Sequence, residues 1–214
     1  MTSESFQLFT DRLSDRLREP LPGRYAQELM APRPISESRF KENPAQPARP
    51  GGVMVLLYPK DGDIYLPLMK RPVYEGAHSG QVSFPGGKVE KQDKNLVDTA
   101  LRETHEEIGV LPHDIQVIGQ LSELFIIASN FKVFPTVGIL KNEPDFIPDE
   151  REVDRVLLPN LSHLKDSNNR GMKTMKFPPY TINSPYFDVE GEIVWGATAM
   201  ILSELIHIVE DLGS

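Results

Sequence analysis

Apolar residues recur along this chain with two periods, and the changes between them mark out its elements. Phe6, Phe9, Leu13 and Leu17 follow near-helical spacing behind Thr2 or Ser3 as a cap, so residues 6–17 predict an amphipathic helix. Residues 32–50 break the pattern: Pro32, Pro34, Pro44, Pro47 and Pro50 stand among polar side chains and predict a connecting arm. Two β-rich runs follow at 53–58 and 64–69, joined through Lys60-Asp61-Gly62-Asp63, where Asp-Gly signals a hairpin. Helical spacing returns over 96–108, with Val97, Ala100, Leu101, Thr104 and Ile108 as the inward positions. Strand-like runs come next at 115–121 and 131–140, then a strand at 153–158, a short helix near 161–164 and short strands between 172 and 189. The last helix, over 195–212, puts Thr198, Ile201, Leu202, Leu205, Ile208, Val209 and Leu212 on one face, with Trp195 as packing material at its start. Strands interleaved with helices predict an α/β fold, an α/β/α sandwich with a mixed sheet covered on both sides. The helix and arm over 1–50 are expected to precede a domain over 51–214.

Composition narrows the chemistry. With 214 residues, 39% hydrophobic and 25% charged, the chain can bury a full core. No stretch approaches the roughly 18 apolar residues of a spanning helix, and the first twenty residues lack a signal-peptide core, so a cytoplasmic location without membrane contact is expected. The absence of cysteine excludes disulfides, thiolate metal sites and a cysteine nucleophile. A net charge of −8 argues against a nucleic-acid partner, which would call for a basic surface. If the ligand carries phosphates, something other than net charge must attract it.

The segment Arg102-Glu103-Thr104-His105-Glu106-Glu107-Ile108-Gly109 carries the most visible chemistry. On a helix Glu103 and Glu107 are one turn apart on the same face, with Glu106 beside them. Two unit charges about 4 Å apart repel by roughly 4 kcal/mol at an effective dielectric of about 20, so such a stripe is either splayed into solvent or held by a cation. Gly109 suits a helix C-terminus, and Pro85-Gly86-Gly87 upstream is a turn whose glycines let a backbone approach an anion. Together the loop and stripe resemble the Nudix box, in which a glycine, five residues, a glutamate and seven residues precede R-E-U-x-E-E-x-G-U, U being aliphatic. Arg102, Glu103, Glu106, Glu107 and Gly109 match at the right spacing; at roughly 7% usage per position, the odds of this by chance are on the order of one in a million per placement. The first glutamate of the pattern falls on Asp93 counting from Gly87, but the gap from there to Arg102 is one residue longer than usual. Asp93 is therefore expected to tie the loop to the helix or to cap it. Thr104 replaces an aliphatic residue.

This resemblance implies a Nudix-like sandwich and a pyrophosphohydrolase dependent on Mg2+ or Mn2+. It places the metal on Glu103, Glu106 and Glu107, and catalytic roles on Arg102, Glu106 and, outside the helix, Glu152. Upstream, Leu68-Met69-Lys70-Arg71 and the run from His78 to Gly87 resemble the accessory motif of the coenzyme A pyrophosphatase subgroup, and the late segment Trp195-Gly196-Ala197-Thr198-Ala199-Met200 is similar to that subgroup as well. Glu75-Gly76-Ala77 stands where that subgroup carries a second arginine. Substrate contacts are accordingly expected from Arg71, His78, Gly80, Gln81, Phe84, Gly86 and Gly87. The implied reaction cleaves coenzyme A, or an acyl or oxidised form, into 3′,5′-ADP and a 4′-phosphopantetheine product. A Nudix hydrolase of ADP-ribose or NADH and a non-catalytic nucleotide sensor are the alternatives. The expected partner is a small nucleotide; a homodimer is left open.

Overall fold

The computed structural model describes residues 2–35, 41–43, 45–73, 79–177 and 180–213. Helix α1 spans Ser3–Arg16, and the Thr2 side chain accepts the amide hydrogen of Ser5 at its start. A short helix α2, Arg24–Leu29, follows between the expected helix and the expected arm; its N-cap is Gly23, which offers no side-chain bond for a sequence reading to detect. Strand β1 runs over Arg49–Lys60 and turns through Asp61-Gly62 into β2, Asp63–Tyr65, forming the expected hairpin, with Tyr58 opposite Tyr65. Next come β3 (Leu68–Lys70), β4 (Val82–Ser83), β5 (Gly86–Lys88) and helix α3 (Leu96–Ile108). Strands β6 (Gln116–Gln120), β7 (Leu124–Ile126), β8 (Phe131–Ile139) and β9 (Arg155–Leu157) precede helix α4 (Leu161–Lys165). The chain closes with β10 (Arg170–Phe177), β11 (Tyr180–Val189), β12 (Glu192–Trp195) and helix α5 (Gly196–Asp211).

β1 is the axis of a mixed six-stranded sheet. It lies parallel to β8 from Arg49 opposite Phe131 to Leu57 opposite Ile139, and antiparallel to β2 and β5; β6 and β7 pair with β8. The strand starts four residues earlier than the hydrophobic run suggests, because partners on both sides satisfy the backbone of its polar, glycine-rich beginning. Smaller antiparallel sheets join β3 to β4 and β9, and β11 to β10 and β12.

Alternation along β1 builds two cores. Met54, Leu56 and Tyr58 pack with Ala100 and Ile108 of α3 on one face. Val55 and Leu57 join Val137, Ile139 and the apolar residues of α5 on the other. Each fully buried aliphatic side chain contributes roughly 1.5–3 kcal/mol of transfer free energy, so both faces require their helical cover. The α/β sandwich with a mixed sheet is thereby realised. Phe6, Leu13, Leu17, Met30 and Ala31 belong to the same cluster as α5. The carboxylate of Glu204 on α5 accepts hydrogen bonds from Gly23 N (3.1 Å), Gln27 Nε2 (3.0 Å) and Ser122 N (3.2 Å), fastening the N-terminal segment to the sandwich. Among the described residues no helix is long and apolar enough to cross a membrane.

Candidate active site

The acidic helix is fixed at both ends. At its start Asn95 Oδ1 accepts the amide hydrogens of Val97 (2.8 Å) and Asp98 (2.9 Å), so Asn95 is the cap. At its end Gly109, with φ of 77°, adopts the left-handed conformation that closes a helix without a Cβ penalty. The last carbonyls are then used from outside: Ile108 O accepts from Ile147 N and Glu107 O from Asp149 N, both at 3.0 Å. This docking carries Glu152 toward the acidic stripe, where its charge makes both Glu103 and Glu107 harder to ionise.

Asp93 resolves its two options by tying the loop. Its carboxylate takes Arg102 Nε and Nη2, both at 3.0 Å, as well as Thr99 Oγ1 and Glu90 N, both at 2.9 Å. The Arg102 guanidinium in particular holds the Asp93 carboxyl well below the usual carboxylate range. Arg102 also donates to Lys88 O (3.1 Å), Glu103 Oε1 (2.9 Å) and Glu106 Oε2 (2.8 Å). These contacts engage all five N–H groups of the guanidinium. Arg102 thus orients two acids of the stripe and is spent on protein partners.

Glu107 is the anomalous group. It is 2% exposed, accepts the Gly86 amide hydrogen at 2.8 Å, and faces Arg71 Nη2 at 3.4 Å across its other oxygen. Burial pushes its carboxyl up to about 8, with the charges of Glu103 and Glu152 acting in the same direction. Glu103, partly buried, is raised for the same first reason, burial. It rests against Gly87 so closely that a Cβ there would push the Glu103 carboxylate out of its place. Glu106 is more open, at 54% exposure, and leans on Arg102.

The structure brings Arg71, Gly86, Gly87, Arg102, Glu103, Glu106, Glu107 and Glu152 into one neighbourhood. Arg71 leaves β3 with its amide hydrogen on Gln81 O (3.0 Å), and Gly80 N, at a positive φ, bonds Pro72 O (3.1 Å), so Gly80 and Gln81 support the turn that presents Arg71. His78 lies outside the described residues, as do residues 75–77. Two of the expected substrate contacts are engaged within the protein. Phe84 is 2% exposed and packs in the α5-side core, where its ring is consumed by apolar neighbours. The Gly86 amide donates to Glu107, and its backbone pairs with Val53, so in this arrangement it supports an acid. Sequence reasoning missed Asn95 as the cap; its position just before the first apolar-periodic residue was the available signal.

The donor set suits a hard divalent cation: every candidate ligand is a carboxylate oxygen, and magnesium, which keeps several waters, needs only one or two. Among the described residues no three acidic or histidine side chains already converge into a cage. Glu103 and Glu107 are each paired with an arginine, Arg102 and Arg71 respectively.

A mixed sheet between helices, with a carboxylate-bearing helix pinned beside a Gly-Gly strand, is the class this molecule represents. The NUDIX domain model matches residues 48–171, and the chain belongs to the Nudix family. It is 38% identical to Nudix hydrolase 15, mitochondrial, of Arabidopsis thaliana, over 82% of this chain and 62% of that protein, so it spans about three-fifths of that relative's length. It is 33% identical to the uncharacterized Nudix hydrolase NudL of Pectobacterium atrosepticum, over 63% of this chain and 69% of that protein. Among solved structures, a MutT/nudix family protein from Enterococcus faecalis superposes with a TM-score of 0.51 at 20% identity, covering 84% of this chain and 71% of the other, a likeness of fold.

Proposed function

We propose that the protein is a pyrophosphohydrolase that cleaves a nucleoside diphosphate derivative, and that its substrate is coenzyme A or an acyl or oxidised form of it. The observation that carries the reaction class is the pair of buried Glu107 and partly buried Glu103, set one turn apart on α3 against the Gly86-Gly87 strand and within the field of Glu152. Carboxylates kept this close in a poorly solvated place resist ionisation unless a cation compensates them. Nudix hydrolases generally work with a divalent ion such as Mg2+ or Mn2+. Bound at this stripe, such an ion supplies charge neutralisation for the phosphates and a water of lowered pKa.

The chain's own groups divide the remaining work. Glu103 and Glu107 hold the ion, with Glu106 as a shared ligand. Glu152, exposed and felt electrostatically by both acids, takes the proton of the attacking water in this reading. Arg102 keeps Glu103 and Glu106 in register, and Arg71 offers its planar fork to a substrate phosphate. The choice of coenzyme A rests on the resemblance of residues 68–87 and 195–200 to that subgroup. A cytoplasmic location is part of the same proposal, beside relatives whose names place one of them in mitochondria.

A substrate panel with Mg2+ or Mn2+, read by mass spectrometry, tests the assignment. Release of 3′,5′-ADP and a phosphopantetheine product from a coenzyme A form is the expected result. Efficient cleavage of ADP-ribose or NADH with every coenzyme A form left intact overturns the substrate; binding of nucleotides with cleavage of none overturns the reaction in favour of a sensor.

A further inference from the structure

We infer that Arg71 is the exchangeable counter-ion of Glu107: it stands against the oxygen that a cation would take, and metal binding expels it toward the substrate phosphates. This deepens the hydrolase reading above and rests on it. The geometry has three parts. First, the two oxygens of Glu107 are used unequally. Oε2 accepts a fixed backbone amide, Gly86 N at 2.8 Å, whereas Oε1 faces a side-chain cation at the loose distance of 3.4 Å. Arg71 is thus the one of these partners that can leave without breaking strand pairing.

Second, the two arginines of the site are held in opposite ways. Arg102 has every N–H engaged and is locked bidentately onto Asp93, so it stays when a cation arrives. Arg71 is a quarter exposed and sits just past the end of β3, anchored through its backbone amide while its side chain reaches to the acid. Only the side chain has to swing.

Third, a divalent ion on Oε1 and the Arg71 guanidinium cannot share that oxygen without like-charge repulsion at contact distance. The displaced fork then lies beside the ion with its donors free, where the substrate phosphates must bind. The exchange therefore links two events: filling the acid stripe frees the group that reads the anion, and an anion arriving before the metal meets Arg71 already engaged. It also gives the buried Glu107 a partner in both states, avoiding an uncompensated buried charge.

The test uses the full chain and measures Mn2+ alone by calorimetry, without nucleotide, at one fixed pH. Arg71→Gln is expected to bind Mn2+ roughly tenfold more tightly than wild type, because the competitor has gone. In a Glu107→Gln background the same substitution is expected to change Mn2+ affinity by less than about twofold, since the shared carboxylate is missing. With saturating Mn2+, α,β-methylene-ADP should bind Arg71→Gln roughly tenfold more weakly, the opposite sign. Arg71→Lys, which keeps a charge in the pocket, should fall between wild type and Arg71→Gln for Mn2+ alone, and thermal melts check that each variant is folded. Unchanged or weaker Mn2+ binding by folded Arg71→Gln overturns the exchange while leaving metal-dependent hydrolysis by wild type, and hence the hydrolase reading, intact. Failure of Mn2+ to bind either protein, together with no hydrolysis by wild type, overturns both.

Discussion

The molecule buries two glutamates almost completely, and it treats them differently. Glu204, on α5, is fully buried and receives three neutral donors, Gly23 N, Gln27 Nε2 and Ser122 N, from two separate parts of the chain. Glu107, on α3, receives one backbone amide and one loosely placed arginine, with two further acids in its field. Burial alone therefore does not mark a functional carboxylate. What separates the two is whether folding has already filled the oxygens: at Glu204 the fold itself completes the coordination, whereas at Glu107 it leaves room for something positive.

Substitutions at the two positions should separate accordingly. The largest effect is expected for Glu204→Leu, which orphans three donors and should cost about 4 kcal/mol of stability in denaturant unfolding, while kcat per folded molecule stays near wild type. A large loss of kcat in the folded fraction would make Glu204 part of the site and erase the contrast. Glu107→Gln should show the reverse, with turnover falling on the order of a hundredfold and no loss of stability; near-normal turnover would remove Glu107 from the chemistry. Asp93→Asn, which weakens the lock on Arg102, is expected to cost about 1–2 kcal/mol in thermal unfolding and to lower kcat several-fold through misplacement of Glu103 and Glu106.

A pH dependence follows from the same buried acid. Because the folded-state pKa of Glu107, about 8, lies above the ordinary value of 4.5, the folded protein binds more protons than the unfolded chain between those limits. The metal-free protein should therefore lose stability as pH rises through this window, by roughly 1–3 kcal/mol from this group. Glu107→Gln should flatten that slope, and excess Mg2+ should do the same for wild type. Melting temperatures in chelator between pH 5 and 9 measure it, and a slope unaffected by the substitution would refute the assignment.

Much of this was legible in the residues. The period-2 run of β1, the 3.6-residue spacing of α3 and the apolar face of α5 each report which side faces a core, and burial obeyed them. The acidic stripe was equally readable, because helical spacing alone puts Glu103 and Glu107 on one face. Less legible was what each member of a motif touches. Phe84 and Gly86 lie inside a motif associated with substrate, yet one faces the core and the other spends its amide on Glu107; a motif records that a residue matters, not which neighbour it serves. Helix α2 escaped notice because it is six residues long and begins at a glycine. Glu204 left only a faint trace, a lone acid in the run Met200-Ile201-Leu202-Ser203-Glu204-Leu205-Ile206, since its donors come from residues more than eighty positions away.

The two-sided cover of the sheet has a practical corollary for anyone trimming the chain. A fragment cut to residues 48–171 would retain Glu103, Glu106, Glu107, Glu152 and Arg71, yet it would strip α1 and α5 from the core cluster that holds Val55, Leu57, Val137 and Ile139. Such a fragment would present a greasy, half-finished ribbon and should clump instead of working, because the stretch that carries the signature is shorter than the stretch that can stand alone in water.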